Sequence, residues 1–184
     1  MVLCLQKKTI SCGVPQGSIL GPLLFLIFIN DLPFSLSSVI NSTDMYADDT
    51  TICDIHRSKH TLEANLQTSL HLLETWCKCN GMVLNTDKTK VLLVTTPHKR
   101  AKLPENCLTL TFKNVPLKSS AGEKLLGVHI NENLKWDDHV NKVKKKISTN
   151  LWLLSRIKIY IPFNTRMLYY KAYIQPHLDF CNIV

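Results

Sequence analysis

Two adjacent carboxylates, Asp48 and Asp49, are the residues of this chain whose types and spacing best suit chemistry. They lie in residues 43–53, Thr-Asp-Met-Tyr-Ala-Asp-Asp-Thr-Thr-Ile-Cys, between short β-branched and apolar runs that predict a tight hairpin with the acids at its tip. Paired carboxylates on a turn suit Mg²⁺, which keeps several waters and takes its remaining ligands from phosphate oxygens. For the pair alone, a solvated surface turn is the alternative.

A glycine-containing loop lies upstream, at residues 13–22, with the sequence Gly-Val-Pro-Gln-Gly-Ser-Ile-Leu-Gly-Pro. Gly13 and Gly17 allow backbone angles and close approaches that a side chain would block. The loop leads into a helix, whose N-terminal amides can face a phosphate or a base, although a helix entry without a ligand is the alternative. The apolar run at residues 19–29 is shorter than the roughly 20 residues that span a bilayer, so it predicts a fully buried helix.

Three motifs carry a specific resemblance because they occur together and in order. The loop at residues 13–22 is followed by Phe-Ile-Asn-Asp-Leu-Pro at residues 28–33 and by Tyr-Ala-Asp-Asp at residues 46–49. This combination closely resembles the reverse transcriptase of non-LTR (LINE-type, jockey-like) retrotransposons. An unrelated structural or interaction protein would require both the loop and the hairpin to be coincidences.

The resemblance implies roles for individual residues. Pro15, Gln16 and Gly17 are expected to line the pocket for the incoming nucleotide and the template, and Tyr46 to pack beneath the primer end. Asp48 is expected to bind the metal ions, with Asp49 assisting, so that two Mg²⁺ ions serve the intact parent. The implied partners are an RNA template, a DNA primer and deoxynucleoside triphosphates.

Two later segments resemble further motifs of that family. Residues 82–94 predict two short strands around a polar turn, in which Asn85, Lys88 and Thr89 match an Asn-x-x-Lys-Thr pattern. Lys88 is a catalytic candidate because a cation there could stabilise a departing pyrophosphate, but a solvated turn lysine is an equal alternative. Residues 123–130 predict a hairpin with Gly127 as its backbone-permissive position. It resembles the family's primer grip, which implies that role for Leu126 and Gly127, although Leu125 stands where the family usually has an aromatic residue.

Helical periodicity predicts the remaining elements. Residues 61–80 have apolar side chains at 3–4 spacing and end at Gly81, which predicts an amphipathic helix covering a sheet face. A similar stripe runs from Trp136 to Ile157, and a second helix is expected at residues 164–175. The lysines leaning away from this stripe fit a thumb that grips nucleic-acid phosphates, and these are Lys142, Lys144, Lys145 and Lys146.

Charge and cysteine content agree with a nucleic-acid partner inside the cell. The net charge is +8, and residues 99–184 hold 15 of the 22 basic residues but only 6 of the 14 acids. Such asymmetry favours a polyanion partner, although a basic face can also serve solubility alone. The 7 cysteines follow no disulfide or zinc spacing and indicate reduced thiols, and we expect an intracellular, non-membrane protein of the nucleus or cytoplasm.

One catalytic acid of the family is expected upstream of the loop, on a separate strand, yet none of residues 1–12 is acidic. We therefore expect an α+β fragment of the polymerase, inactive by itself, without the nucleotide-gripping fingers. Residues 1–130 would form a partial palm, a small antiparallel sheet backed by helices at residues 20–32 and 61–80, and residues 131–184 a helical thumb. The alternative is a catalytically dead truncated remnant that only binds nucleic acid.

Overall fold

The computed structural model describes residue 13 and residues 17–37, 42–103 and 108–181. The chain divides into two compact units, one formed by Met1–Thr86 with Thr109–Pro116, the other by Asp87–Leu108 with Leu117–Val184. Helices and small two-stranded sheets make up both units, which confirms the predicted mixture of helix and sheet. The predicted functional boundary between residues 130 and 131 remains a prediction.

Seven helices occur in the described parts of the chain: α1 Gly21–Ile29, α2 Leu32–Leu36, α3 Lys59–Cys79, α4 Pro97–Arg100, α5 Asp137–Ile157, α6 Phe163–Tyr173 and α7 Gln175–Asp179. Eight strands accompany them: β1 Ser42–Tyr46, β2 Asp49–Cys53, β3 Lys90–Leu92, β4 Thr111–Phe112, β5 Val115–Pro116, β6 Lys118–Ser120, β7 Gly122–Leu125 and β8 Val128–Asn131.

Helix α3 is the centre of the first unit, and it contributes more buried residues than any other described element of that unit. Its buried side chains are Ser69, Leu70, Leu73, Trp76 and Cys77. Trp76 is central because its ring packs edge-on against Phe28 at 5.9 Å and its Nε1–H donates to Asp31 Oδ1 at 3.0 Å. The predicted stripe consists of Leu62, Leu66, Leu70, Leu73 and Cys77. Its last three members are buried, and Ser69 and Trp76, which the prediction omitted, extend the buried face.

The C-terminus of α3 follows the predicted glycine cap. Gly81 has φ 64°, and the Met82 amide donates to the Cys77 carbonyl at 2.9 Å. A left-handed residue just past the helix with this bond is the Schellman arrangement, in which glycine avoids the clash of a Cβ. The prediction of Gly81 as the helix stop is confirmed.

The apolar run after the loop is helical, but the prediction that it is fully buried is wrong. Within α1 only Gly21 and Ile29 are buried, whereas Leu23, Leu26 and Ile27 are 54%, 50% and 66% exposed. The helix is apolar on nearly all sides, so a single contacting face cannot cover it. The predicted helix at residues 20–32 is also interrupted after Ile29 and resumes as α2 at Leu32.

The short β4–β5 hairpin belongs to the first unit because α3 holds the segment leading into it. The Gln67 side-chain amide makes two bonds with Thr111, donating to its carbonyl and accepting from its amide, each at 3.0 Å. Glu63 Oε1 accepts from both the amide and the hydroxyl of Thr109 at 2.7 Å. The side chains of Gln67 and Glu63 thus make hydrogen bonds to the backbone of this segment, as a neighbouring strand would do in a wider sheet.

In the second unit, β7 and β8 form an antiparallel hairpin with Leu125 opposite Val128, as predicted. Strand β3 instead pairs in parallel with β6, with Lys90 opposite Lys118. The expectation of two strands around a turn in residues 82–94 is therefore wrong, because residues 82–85 form no strand. Strand β3 makes its backbone hydrogen bonds with β6, which is distant in sequence.

The helices of the second unit occur in the predicted order, but their first and last residues are not all the predicted ones. Helix α5 contacts β8, and it also contacts α6 and α7. The predicted second helix at residues 164–175 is α6, which ends at Tyr173 before α7 begins at Gln175. No residue of α5 is buried, so its apolar stripe stays partly exposed in this chain.

Candidate active site

The predicted acidic hairpin exists, and its register fixes where the two acids lie. Tyr46 pairs with Asp49 across the ladder, so Ala47 and Asp48 are the two residues of the turn. Ala47 has φ 53°, and it is the only described residue of the turn with a positive φ, as in the II′ turns that suit the twist of a hairpin. Glycine usually takes this position because a Cβ is strained there.

Alternation along the strands places Asp49 on the same face as Asp44 and Tyr46. All three are exposed, and Tyr46 is 67% accessible. Asp44 Oδ2 accepts a hydrogen bond from the Ser42 hydroxyl at 3.0 Å. The opposite face carries Met45 and Ile52, which are half-buried. The hairpin therefore presents an acidic face to solvent and is anchored through its apolar face.

This donor set can supply part of a divalent-metal site. Asp48 and Asp49 are consecutive and exposed, and their carboxylate oxygens are the hard ligands that Mg²⁺ prefers. Across the described ranges, no group of three or more His, Cys, Asp or Glu side chains is placed to hold a metal ion. The pair thus fits a metal that takes its other ligands from water and phosphate oxygens.

The predicted nucleotide-binding loop falls only partly within the structure. Pro15 and Gln16 lie outside the described residues. Gly13 and Gly17 both have φ 81°, as their predicted conformational role requires. Leu20 is the N-cap of α1 and no side chain caps the helix, while the Gly21 amide donates to the Ser18 carbonyl at 3.4 Å.

Lys88 belongs to the second unit, whereas the acidic hairpin belongs to the first. It is exposed in the turn before β3, next to Asp87, whose Oδ1 lies 3.7 Å from Lys118 Nζ. Its role as a cation beside the leaving group stays a prediction.

The predicted primer-grip turn has two residues with positive φ, Leu126 at 46° and Gly127 at 97°. This is the I′ pattern of a two-residue hairpin. The backbone angle favours glycine at position 127, and a Cβ there would also lie 3.0 Å from the Phe180 ring, which is a tight contact.

The four predicted backbone-binding lysines are all exposed on α5. Their surroundings differ, because Lys142, Lys145 and Lys146 line a cavity that Lys144 does not reach. Lys142 Nζ lies 3.0 Å from His129 Nδ1, and the His129 amide donates to His139 Nδ1 at 3.3 Å. Sequence reasoning missed both histidines, because only the packing of α5 on β8 brings together residues that neither helical nor strand periodicity pairs.

No described helix is both long and apolar enough to cross a bilayer. The four described cysteines, Cys53, Cys77, Cys79 and Cys181, are free thiols. Burial raises the pKa of the Cys77 thiol, and burial together with the charge of Asp44 raises that of Cys53. Neither thiol is thereby activated as a nucleophile, since reactivity requires the thiolate.

Comparison with known proteins places these features in a family context. Three similar proteins are the probable RNA-directed DNA polymerase from transposon X-element and the RNA-directed DNA polymerase from mobile element jockey, both of Drosophila melanogaster, and the jockey polymerase of Drosophila funebris. Their identities to this chain are 25%, 24% and 27%, over 96%, 93% and 93% of its length. The chain spans only 20%, 19% and 19% of those proteins.

No solved structure matches the chain. The sequence profile described as reverse transcriptase (RNA-dependent DNA polymerase) matches residues 3–130, a segment that contains both the glycine loop and the acidic hairpin. This chain therefore belongs to the reverse transcriptase (RNA-dependent DNA polymerase) family.

Proposed function

We propose that this chain is the palm and thumb portion of an RNA-directed DNA polymerase of a non-LTR retrotransposon. Residues 1–130 would be the partial palm and residues 131–184 the thumb. The observation that carries the proposal is the Tyr46–Asp49 register, which exposes two consecutive carboxylates at a strained turn within the segment that the family profile matches. In the reaction, a primer 3′-hydroxyl attacks the α-phosphate of a deoxynucleoside triphosphate and the bond to the β-phosphate breaks, which releases pyrophosphate. An RNA template selects the nucleotide.

Asp48 and Asp49 would hold Mg²⁺, with Asp48 as the main ligand. When bound, two such ions stabilise the charge on the attacking and leaving oxygens. The contribution of the hairpin is to position the two carboxylates. Its half-buried face, with Met45 and Ile52, would hold the turn in place before any ligand binds. Tyr46 lies on the exposed face beside Asp49, where its ring can support the primer end.

Other residues would bind and orient the substrates. Gln16 and Gly17, with Pro15, would contact the incoming nucleotide and the template. Lys88 would place a positive charge near the departing pyrophosphate, where developing negative charge is greatest. Leu126 and Gly127 would hold the primer strand, and the α5 lysines would bind the phosphates of the template–primer duplex.

The competing proposal is a remnant that binds nucleic acid without catalysis. It is favoured by one observation: the acid pair has no third carboxylate among the described residues with which to form a metal cluster. In the catalytic proposal, that ligand comes from another part of the longer polymerase.

Two measurements separate these proposals. The first is Mn²⁺ titration of the 184-residue chain, followed by paramagnetic broadening of the amide signals of residues 46–49 in NMR spectra. Broadening that Asp48→Asn abolishes and Asp87→Asn leaves intact supports a metal site at the hairpin. Equal broadening in both variants contradicts it.

The second measurement is primer extension on an RNA template by the longer polymerase that contains this chain. Asp48→Asn should lower the rate by at least about a hundredfold, because metal-mediated stabilisation of transition-state charge contributes several kcal/mol. Asp87→Asn is again the matched control. Extension that survives Asp48→Asn at the control rate would overturn the catalytic assignment.

A further inference from the structure

A cavity of about 480 Å³ lies in the second unit, beside the β7–β8 hairpin and α5. Its size falls in the range of ordinary ligand pockets. Cationic or protonatable side chains dominate its lining, and these are His129, His139, His177, Lys142, Lys145 and Lys146. No acid lines it. A concave surface with this composition favours an anionic ligand.

A hydrogen bond from a lysine fixes the protonation pattern of one of these histidines. A lysine ammonium can only donate, so Nδ1 of His129 accepts the bond from Lys142 Nζ at 3.0 Å. The backbone amide of His129 likewise donates to His139 Nδ1 at 3.3 Å. In this arrangement the His129 ring is neutral and carries its proton on Nε2, which can act as a further donor.

The neighbouring positive charges make protonation of the His129 ring unfavourable while the cavity holds no anion. Burial, followed by the charges of Lys142, His139, Lys124 and Lys146, lowers the pKa of His129 below its ordinary value. Two acids are nearby: Glu123 and Asp138 line an adjacent cavity that shares His129 and Lys142 with this one, and Asp138 Oδ2 accepts a hydrogen bond from Asn131. His177 of α7 is a further titratable group in the described lining of the cavity.

We propose that this cavity binds a phosphate group of a nucleic-acid backbone through Lys142, His129 and His139, and that binding is coupled to proton uptake by the histidines. The identity of the ligand as nucleic acid rests on the proposed polymerase function. An anion among these groups offsets their mutual repulsion, so it favours the protonated imidazoles. By linkage, a lower pH must then favour the anion.

Inorganic sulfate is a suitable probe, because its charge does not change in the range where histidine titrates. The 184-residue chain would be titrated with sulfate at about pH 8 and about pH 6, at constant ionic strength held with chloride, while histidine ring signals are followed by NMR. We expect sulfate affinity to rise at least about fivefold at the lower pH, and the apparent pKa of His129 to rise when sulfate is bound.

Matched variants test the location. Lys142→Ala should weaken sulfate binding at both pH values, and His129→Gln should remove most of the pH dependence. Lys144→Ala, on the same helix but outside the cavity, and His98→Gln, exposed on α4, should change neither. Retention of the parent amide spectrum outside the cavity shows that each variant is folded. Absence of sulfate binding, or equal effects of Lys142→Ala and Lys144→Ala, would overturn the proposal.

A second titration, with a short RNA–DNA duplex, tests the ligand separately from the cavity. Weaker duplex binding by Lys142→Ala than by Lys144→Ala, together with stronger binding at the lower pH, supports a nucleic-acid phosphate. If the chain binds sulfate but Lys142→Ala leaves its duplex affinity unchanged, the assignment of the ligand as nucleic acid is wrong. The cavity would then be an oxyanion site with another ligand. Neither result depends on the acids of the hairpin, so polymerase activity is tested independently.

Discussion

Ala47 shows how a single residue can carry strain at a functional turn. Its φ of 53° lies in the left-handed region, which costs an L-residue roughly 1–2 kcal/mol. Such strain often occurs beside functional groups, because the surrounding structure holds the chain in a conformation that it would not choose alone. Here the strained residue directly precedes Asp48, the proposed metal ligand.

We expect Ala47→Gly to stabilise the folded chain by up to about 1 kcal/mol, since relief of the strain exceeds the added entropy of the unfolded glycine. Urea unfolding measures the change. Ala64→Gly is the control, because Ala64 is an exposed residue within α3, where glycine should cost about 1 kcal/mol. Destabilisation of similar size in both variants would show that the turn is not strained.

Helix α3 acts at the scale of the element, because it binds segments distant in sequence through specific side chains. Trp76 reaches Asp31, Gln67 reaches Thr111 and Glu63 reaches Thr109. The bonds from the Thr109 hydroxyl and amide hold the pKa of Glu63 below its ordinary value. The Glu63 carboxyl binds protons more readily in the unfolded chain than in the folded one. The contact therefore stabilises the fold at pH values above the unfolded-state pKa, and this stabilisation is lost as the pH falls through the folded-state pKa.

The stability of the parent chain should therefore fall between about pH 5 and pH 3 more steeply than that of Glu63→Gln. Urea midpoints across this range give the comparison. Thr109→Val removes the hydroxyl donor from the same contact, and the double variant should show less than the sum of the two single effects. Full additivity would mean that Glu63 and Thr109 act independently, against the 2.7 Å bonds seen here.

At the scale of the whole molecule, positive charge is concentrated in residues 99–184, which hold 15 basic and 6 acidic residues. Binding of a polyanion by such a surface releases counterions and depends on salt. We expect combined substitution of Lys144, Lys145 and Lys146 by Ala to weaken duplex binding and to reduce the slope of log affinity against log salt by up to about 3.

The salt dependence can be measured by fluorescence anisotropy with an RNA–DNA duplex at several chloride concentrations. A variant with Lys59→Ala and Lys78→Ala, both exposed on α3, removes charge from the other unit and serves as the control. An unchanged slope in the α5 variant would contradict the thumb assignment.

Exposed apolar side chains are a second property of the whole chain. Ile19 is 96% exposed, Phe34 76% and Ile27 66%, whereas large exposed apolar patches are uncommon in soluble monomers. We expect the folded chain to bind the dye ANS, and Leu23→Glu with Ile27→Glu to reduce that fluorescence without loss of helical circular dichroism. Thr68→Glu, at an exposed polar position of α3, should leave the dye signal unchanged.

The sequence alone predicted the elements whose information is local. The Tyr46–Asp49 hairpin, the Gly81 helix stop and the Leu126–Gly127 turn each depend on a few neighbouring residues and their backbone preferences, and all three occur as expected. Family membership was likewise accessible, since the motifs at residues 13–22 and 46–49 lie within the segment that the family profile matches.

Tertiary structure decided what depends on partners distant in the chain. The parallel pairing of β3 with β6, the inclusion of Trp76 in the core and the exposure of α1 are set by which surfaces meet, and periodicity within one segment does not contain that information. The same holds for the cavity around His129 and His139. Its histidines come from a strand and a helix, and only their packing turns an unremarkable pair of residues into a candidate phosphate site.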